Sequence, residues 1–388
     1  MRSIQESGYP LVFPVDRREV PIDRLEPAGR HATTRTCTRT LEGMQKEAVI
    51  EYGPTGRTWR MVCDEGPWLN GTDLAPFPLA FFTAGLAAQL MSEYLAEARD
   101  REISIDHLEI VQDNYFTMEG SALNGTMAAG VEPVEVRFSA AGDACAAELA
   151  DIAEIAVADR APTTEALQDT LLSRFAIRAN DESLAWPGEA AARMAGLADP
   201  GPLFDCCQPI DDDQALPDII VKSGESPPPG ASPAVGLKAD QRRTIHVRSE
   251  GRLRGDGLKE ISVQCIQPAG SRFTLLSDES RDCGGEERAP NGLSYLSAGI
   301  AFCFMTQLGR YAQIVKQKLN GYRIVQDTSF GLCQRYDPTA LPVETLVLLD
   351  TEESRDNSRQ LVHMGEQTCY LHGAFRIPTE TRVSFDER

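Results

Sequence analysis

Two long apolar runs organise the hydrophobic pattern of this chain. Leu79 to Met91 and Leu293 to Met305 are apolar nearly all round and free of proline. Their length predicts helices, and a helix without a polar face has to lie at the centre of a fold. The polar continuations, Glu93 to Glu102 and Arg310 to Lys318, are expected to reach solvent. Gly85 and Gly299 fall inside the runs; glycine in a helix interior costs about 1 kcal/mol relative to alanine, so a close approach of two helices is the expected compensation. Shorter runs broken by Gly and Pro precede each helix: Ala48 to Tyr52 and Thr58 to Cys63, then Glu260 to Cys265 and Phe273 to Leu276. These are strand-like, as are Val134 to Phe138 and Glu344 to Leu349 after the helices. Each half closes on a second helix, carrying Glu154 or Glu366.

The repeated order of elements is matched residue by residue. A shift of about 214 positions lays Asp64-Glu65 on Asp278-Glu279, Gly71 on Gly285, Ala75-Pro76 on Ala289-Pro290, Ala84-Gly85 on Ala298-Gly299, and Ile110-Val111-Gln112-Asp113 on Ile324-Val325-Gln326-Asp327. A period this long signals duplication of a whole domain. The expected division is an N-terminal extension (1–34), a first domain (35–167), a linker or insertion (168–242) and a second domain (243–388). The stretch Ser223 to Pro233 reads as a flexible, partly extended linker, with short helices at Leu167 to Phe175 and Glu189 to Leu197. Duplication commonly fuses a former homodimer, so a pseudo-twofold, face-to-face arrangement is expected. The copies differ in their cysteines: Cys303 stands opposite Gln89, and Cys369 opposite Val157. Any thiol chemistry is expected once per chain.

Composition narrows the classes of function. The chain has 388 residues, 42% of them apolar, enough for two cores. A formal net charge of −20, with the acids dispersed, argues against a nucleic-acid partner, which needs a basic face. The first residues lack the apolar core of a signal peptide and no stretch of about 18 apolar residues occurs, so the expectation is a cytoplasmic protein with no membrane partner. Ten irregularly spaced cysteines fit reduced thiols better than a disulfide scaffold. No phosphate loop, metal cluster or nucleotide fingerprint is present, so no cofactor is expected.

In the second half, Asp278-Glu279, Gly284-Gly285, Ala289-Pro290, Ala298-Gly299 and Cys303, with Cys369 further on, together resemble the OsmC/Ohr family, the osmotically inducible protein C and organic hydroperoxide resistance group. The resemblance covers about residues 35–165 and 243–375. It implies an α+β fold: two OsmC-like domains forming a pseudo-dimer of antiparallel sheets wrapped around central helices. It also implies a thiol peroxidase in which Cys303 attacks an organic hydroperoxide and Cys369 resolves the sulfenic acid as a disulfide. A small apolar substrate, a thiol reductant and possible further homo-oligomerisation go with it.

The residues set their own conditions. A free thiol with a pKa near ~8.5 needs a cation or helix dipole to ionise at neutral pH. Cys303 lies well inside its helix, so an arginine is required. Candidates are Arg243, Arg248, Arg252 and Arg254 on the first strand of the second half, and Arg281 in the loop before the helix; Arg252 represents them as site residue. The peroxidase branch also carries a glutamate just after the proline that opens the cysteine helix. Here Pro290-Asn291-Gly292-Leu293 has none, leaving Asp278 or Glu279 as substitutes. His363 and His372 flank Cys369, and His372 is the candidate base of an alternative in which Cys303 is the nucleophile of a hydrolase or lyase. A third reading is a non-catalytic protein whose aromatic residues line a cavity for an apolar ligand.

Overall fold

The structure is a computed structural model that describes residues 3–18, 23, 25, 29–188, 190–210, 216–226, 241–331 and 339–386. Residues 227–233 of the expected proline-rich linker, and Glu189 of one expected short helix, lie outside the described residues.

The chain opens with α1 (Ile4–Ser7) and β1 (Val12–Pro14), then runs through the meander β2 (His31–Thr40), β3 (Lys46–Tyr52) and β4 (Arg57–Cys63) into the long helix α2 (Pro78–Asp100). After α2 come β5 (Ile105–Gly120), β6 (Ala128–Val131), β7 (Val134–Gly142), α3 (Ala146–Ile155) and α4 (Pro162–Gln168). A connecting stretch follows, with β8 (Ser173–Ala179), β9 (Glu182–Leu184), α5 (Ala192–Ala195), α6 (Leu203–Cys206) and β10 (Ile220–Gly224). The second meander is β11 (Gln241–Leu253), β12 (Lys259–Gln267) and β13 (Arg272–Ser277), leading to α7 (Gly292–Ile314). The chain ends with β14 (Leu319–Gly331), β15 (Ala340–Thr351), α8 (Arg355–Thr368), α9 (Tyr370–Arg376) and β16 (Thr381–Asp386). Phe175, expected near the end of a short helix, is in strand β8 instead, paired in parallel with Thr345.

These elements form a mixed α+β fold with two eight-stranded sheets. The first has the order β1-β4-β3-β2-β14-β15-β8-β9; the second runs β10-β13-β12-β11-β5-β7-β16, with β6 also paired to β5. Each sheet therefore joins the meander of one half to the strands that follow the long helix of the other. The seams are antiparallel, β2 on β14 and β11 on β5. At equivalent points of the seams, Arg35 forms a bidentate pair with Asp327, and Arg248 with Asp113.

Helices α2 and α7 lie between the sheets, α7 against β2, β3 and β14, and α2 against β5, β11 and β12. Both are buried along most of their length, as their all-round apolar pattern requires. Their backbones touch. A Cβ on Gly85 would lie 2.5 Å from the Leu296 nitrogen, and one on Gly299 would lie 2.7 Å from the Phe82 nitrogen. The polar end of α2 departs from expectation: Glu93 and Glu97 are buried, because Arg160, from the turn after α3, enters between them and pairs with Glu93, Glu97 and Asp100. Three carboxylates facing one guanidinium keep a charged segment inside the fold.

Candidate functional site

Cys303 sits midway along α7, on the face turned to the first sheet and to α8 and α9. Cys369 is not inside a helix. It occupies the break between α8 and α9, where an extended backbone (φ −73°, ψ 116°) makes it the last cap of one helix and the first of the next. The two side chains are neighbours. Burial pushes the Cys369 thiol well above its ordinary value, and Cys303 beside it raises it further. Cys303 is 2% exposed and Cys369 fully buried, so a reactant reaches them only by displacing side chains.

Charged groups gather on the same face of α7. Thr306, one turn beyond Cys303, donates to Glu65 Oε1 at 2.7 Å. Glu65 follows β4 of the first half and is itself buried, which raises its carboxyl pKa; nearby Lys46 and Arg310 pull it back down. Arg310 lies two turns beyond Cys303. Burial lowers its pKa, while the neighbouring Tyr370, Glu65 and Cys303 raise it and Arg243 of β11 opposes them. Tyr370, directly after Cys369, is pushed up to about 12 by burial, so its phenol stays protonated. Cys63 also belongs to this neighbourhood: burial raises its thiol well above the ordinary value and Cys303 adds to the shift. Among the described residues, no group of three or more His, Cys, Asp or Glu is arranged to hold a metal ion.

No protein-family model matches the chain, and no curated protein matches it. Among solved structures it is similar to an OsmC-like hydroperoxide resistance protein from Jannaschia sp. CCS1, at 21% identity over 32% of this chain and 81% of that one, with a TM-score of 0.21. A likeness at that level adds nothing to the geometry above. Among the described residues, no helix is long and apolar enough to cross a membrane.

Of the residues expected at the site, the structure brings Cys303 and Cys369 together and leaves the other four elsewhere. Arg252 pairs with Glu260 at 2.6 Å and lines an open groove of about 500 Å³ with Glu109, Glu250 and Arg272. It points that way because alternation along β11 turns Val247 and Ser249 inward and Arg252 out. Asp278 receives Arg288 Nε at 2.9 Å and the backbone nitrogens of Glu286 and Arg288. Glu279 accepts from Ser92 Oγ of α2 at 2.7 Å and from Lys259 at 2.9 Å. The second half's carboxylates thus serve α2, and Glu65 of the first half serves α7, because each sheet carries one half's meander beneath the other half's helix.

His372 is buried on α9 between the rings of Phe175 and Phe304, and neither ring nitrogen has a hydrogen-bond partner. Burial, with Arg376 nearby, lowers its pKa to about 3. A neutral imidazole packed between phenylalanines, with no hydrogen-bond partner for either ring nitrogen, is a core residue. Sequence reasoning missed Arg310, Glu65 and Tyr370. Arg310 was recoverable, since positions 303, 306 and 310 share one helical face.

The thiol-free face of α2 is built differently. Gln89 donates to Glu93 Oε1 at 2.8 Å and accepts from Thr163 Oγ1 at 2.7 Å, so a polar network holds the place opposite the cysteine pair.

Proposed function

We propose that the chain is a tandem OsmC-like thiol peroxidase that reduces small, apolar organic hydroperoxides at one Cys303–Cys369 site. In this reading residues 35–167 and 243–388 are duplicated domains forming a pseudo-dimer, consistent with the exchange of strands between the two sheets. The Cys303 thiolate attacks the hydroperoxide, becoming a sulfenic acid as the O–O bond breaks, and the alkoxide leaves as the alcohol after taking a proton. The Cys369 thiol then condenses with the sulfenic acid, releasing water and forming a disulfide. A thiol reductant returns the pair to the dithiol. Arg310 supplies the positive charge that a thiolate on a mid-helix cysteine requires, with Glu65 holding the polar face of α7.

The observation that carries this reading is the burial of Cys303 and Cys369 as neighbours where α7 meets the break between α8 and α9. A Cys–His nucleophile is less well supported, because the His372 ring nitrogens have no hydrogen-bond partner. The test is the intact mass of the reduced protein before and after one equivalent of tert-butyl hydroperoxide, with peptide mapping. A Cys303–Cys369 disulfide is expected in the wild type, a stalled oxidised Cys303 in Cys369→Ser, and no reaction in Cys303→Ser. Thiols that stay reduced would sink the proposal.

A further inference from the structure

Glu65 reaches α7 from a loop, and a loop carboxylate keeps one geometry only if something fixes the loop. The loop of residues 65–74 is fixed from Asp64. Its carboxylate is fully buried and accepts the Glu65 backbone nitrogen at 2.8 Å, the Thr72 nitrogen at 3.1 Å, the Thr72 hydroxyl at 2.6 Å and the Leu74 nitrogen at 3.1 Å. The turn it closes is tight enough that a Cβ on Gly71 would fall 1.7 Å from the Glu65 carbonyl oxygen. Gln45 braces Thr72 from β3's edge at 2.8 Å.

We propose that Asp64 is the positioning residue of the Cys303 site: its four accepted hydrogen bonds set the 65–74 loop so that Glu65 crosses onto Thr306, one turn from Cys303. The inference deepens the peroxidase reading and takes its substrate from it. The chain also carries an internal comparison. Asp278 staples the loop before α7 in the same way, through Glu286 and Arg288, and presents Glu279 to Ser92 on the thiol-free helix α2. Removing either staple should loosen a loop, but only Asp64 governs the carboxylate beside the thiols.

The experiment compares wild type, Asp64→Asn and Asp278→Asn by two readouts: the rate of disulfide formation with tert-butyl hydroperoxide, and the rate and pH profile of Cys303 alkylation by iodoacetamide. Misplacement of a group by about 1 Å can cost on the order of 100-fold. Asp64→Asn is therefore expected to slow both reactions by roughly tenfold to 100-fold and to change the pH profile of alkylation. Asp278→Asn should lower Tm without changing either. Equal effects of the two variants, or an unchanged alkylation rate and profile in Asp64→Asn, overturn the inference. If wild-type thiols ignore the hydroperoxide, the peroxidase reading fails and alkylation alone decides the role of Asp64. Should Asp64→Asn not fold, Thr72→Val removes one of the four bonds; a slowing of about threefold is expected, and a wild-type rate overturns it.

Discussion

Thr306 and Glu65 are joined by a 2.7 Å hydrogen bond that ties the second half's cysteine helix to the first half's meander. The thiols and the carboxylate beside them come from opposite halves of the chain, so neither half alone assembles this site. Because Arg310 lies on the same face of α7, the charge that Cys303 meets is set by its own helix and by Glu65 together.

Replacing Arg310 is expected to remove that charge. Loss of one preorganised electrostatic group at a reacting atom typically costs 10²–10³-fold, so Arg310→Gln should slow Cys303 oxidation by about 100-fold. Arg252→Gln, on the outer face of the second sheet and paired with Glu260, should leave the rate unchanged. Stopped-flow oxidation of both variants decides between the two arginines, and an effect of Arg252 with none of Arg310 would reverse the assignment.

The remaining thiols should divide by environment. Burial pushes Cys37, Cys207 and Cys265 up to about 12, which leaves on the order of one thiolate in 10⁴ at pH 8. Cys145 and Cys206 are exposed. Brief iodoacetamide treatment of the native protein at pH 8 is expected to label Cys145 and Cys206 and to spare the other three, read by peptide mass. Early labelling of Cys37, buried in β2, would mean that the sheet opens far more readily than its packing indicates.

The central helices, the meanders and the touching glycines were legible in the sequence, because apolar runs and helix-interior glycines are local signals with one physical outcome. The long-range partners were not. Nothing in the Asp278-Glu279 repeat says that each loop faces the other half's helix; that follows from β2 pairing with β14 and β11 with β5. Charge pattern misled for the same reason. Glu93 and Glu97 look like a solvated helix end until Arg160, some sixty positions later, is brought against them.

His372 should make the protein acid-sensitive. Its folded pKa, about 3, lies below the ordinary value of 6.5. Between those values the unfolded chain binds the proton and the folded chain does not, so stability is fully present above about pH 6.5 and is lost as pH falls toward 3. At about 1.4 kcal/mol per pH unit, the loss by pH 4 is roughly 3 kcal/mol. Glu65, whose carboxyl is raised by burial, acts in the opposite direction. His372→Leu is expected to flatten the acid limb of a urea-midpoint profile between pH 7 and 4; a limb of unchanged slope would remove His372 as its cause.

The contact between α2 and α7 should tolerate no side chain at Gly299. Alanine there gains about 1 kcal/mol of helix propensity, but its Cβ would stand 2.7 Å from the Phe82 nitrogen and 3.0 Å from the Phe82 Cα, backbone atoms of a helix pinned between two sheets. Overpacking of a core typically costs 1–3 kcal/mol, and since backbone cannot rotate away as a side chain can, the upper end applies. The steric term wins, and Gly299→Ala should destabilise by about 2 kcal/mol in urea unfolding. Gly196, where an added Cβ meets nothing closer than 3.6 Å, provides the contrast: Gly196→Ala should be neutral or slightly stabilising. Because α7 also carries Cys303, Thr306 and Arg310, Gly299→Ala should slow thiol oxidation as well, whereas Gly196→Ala should not.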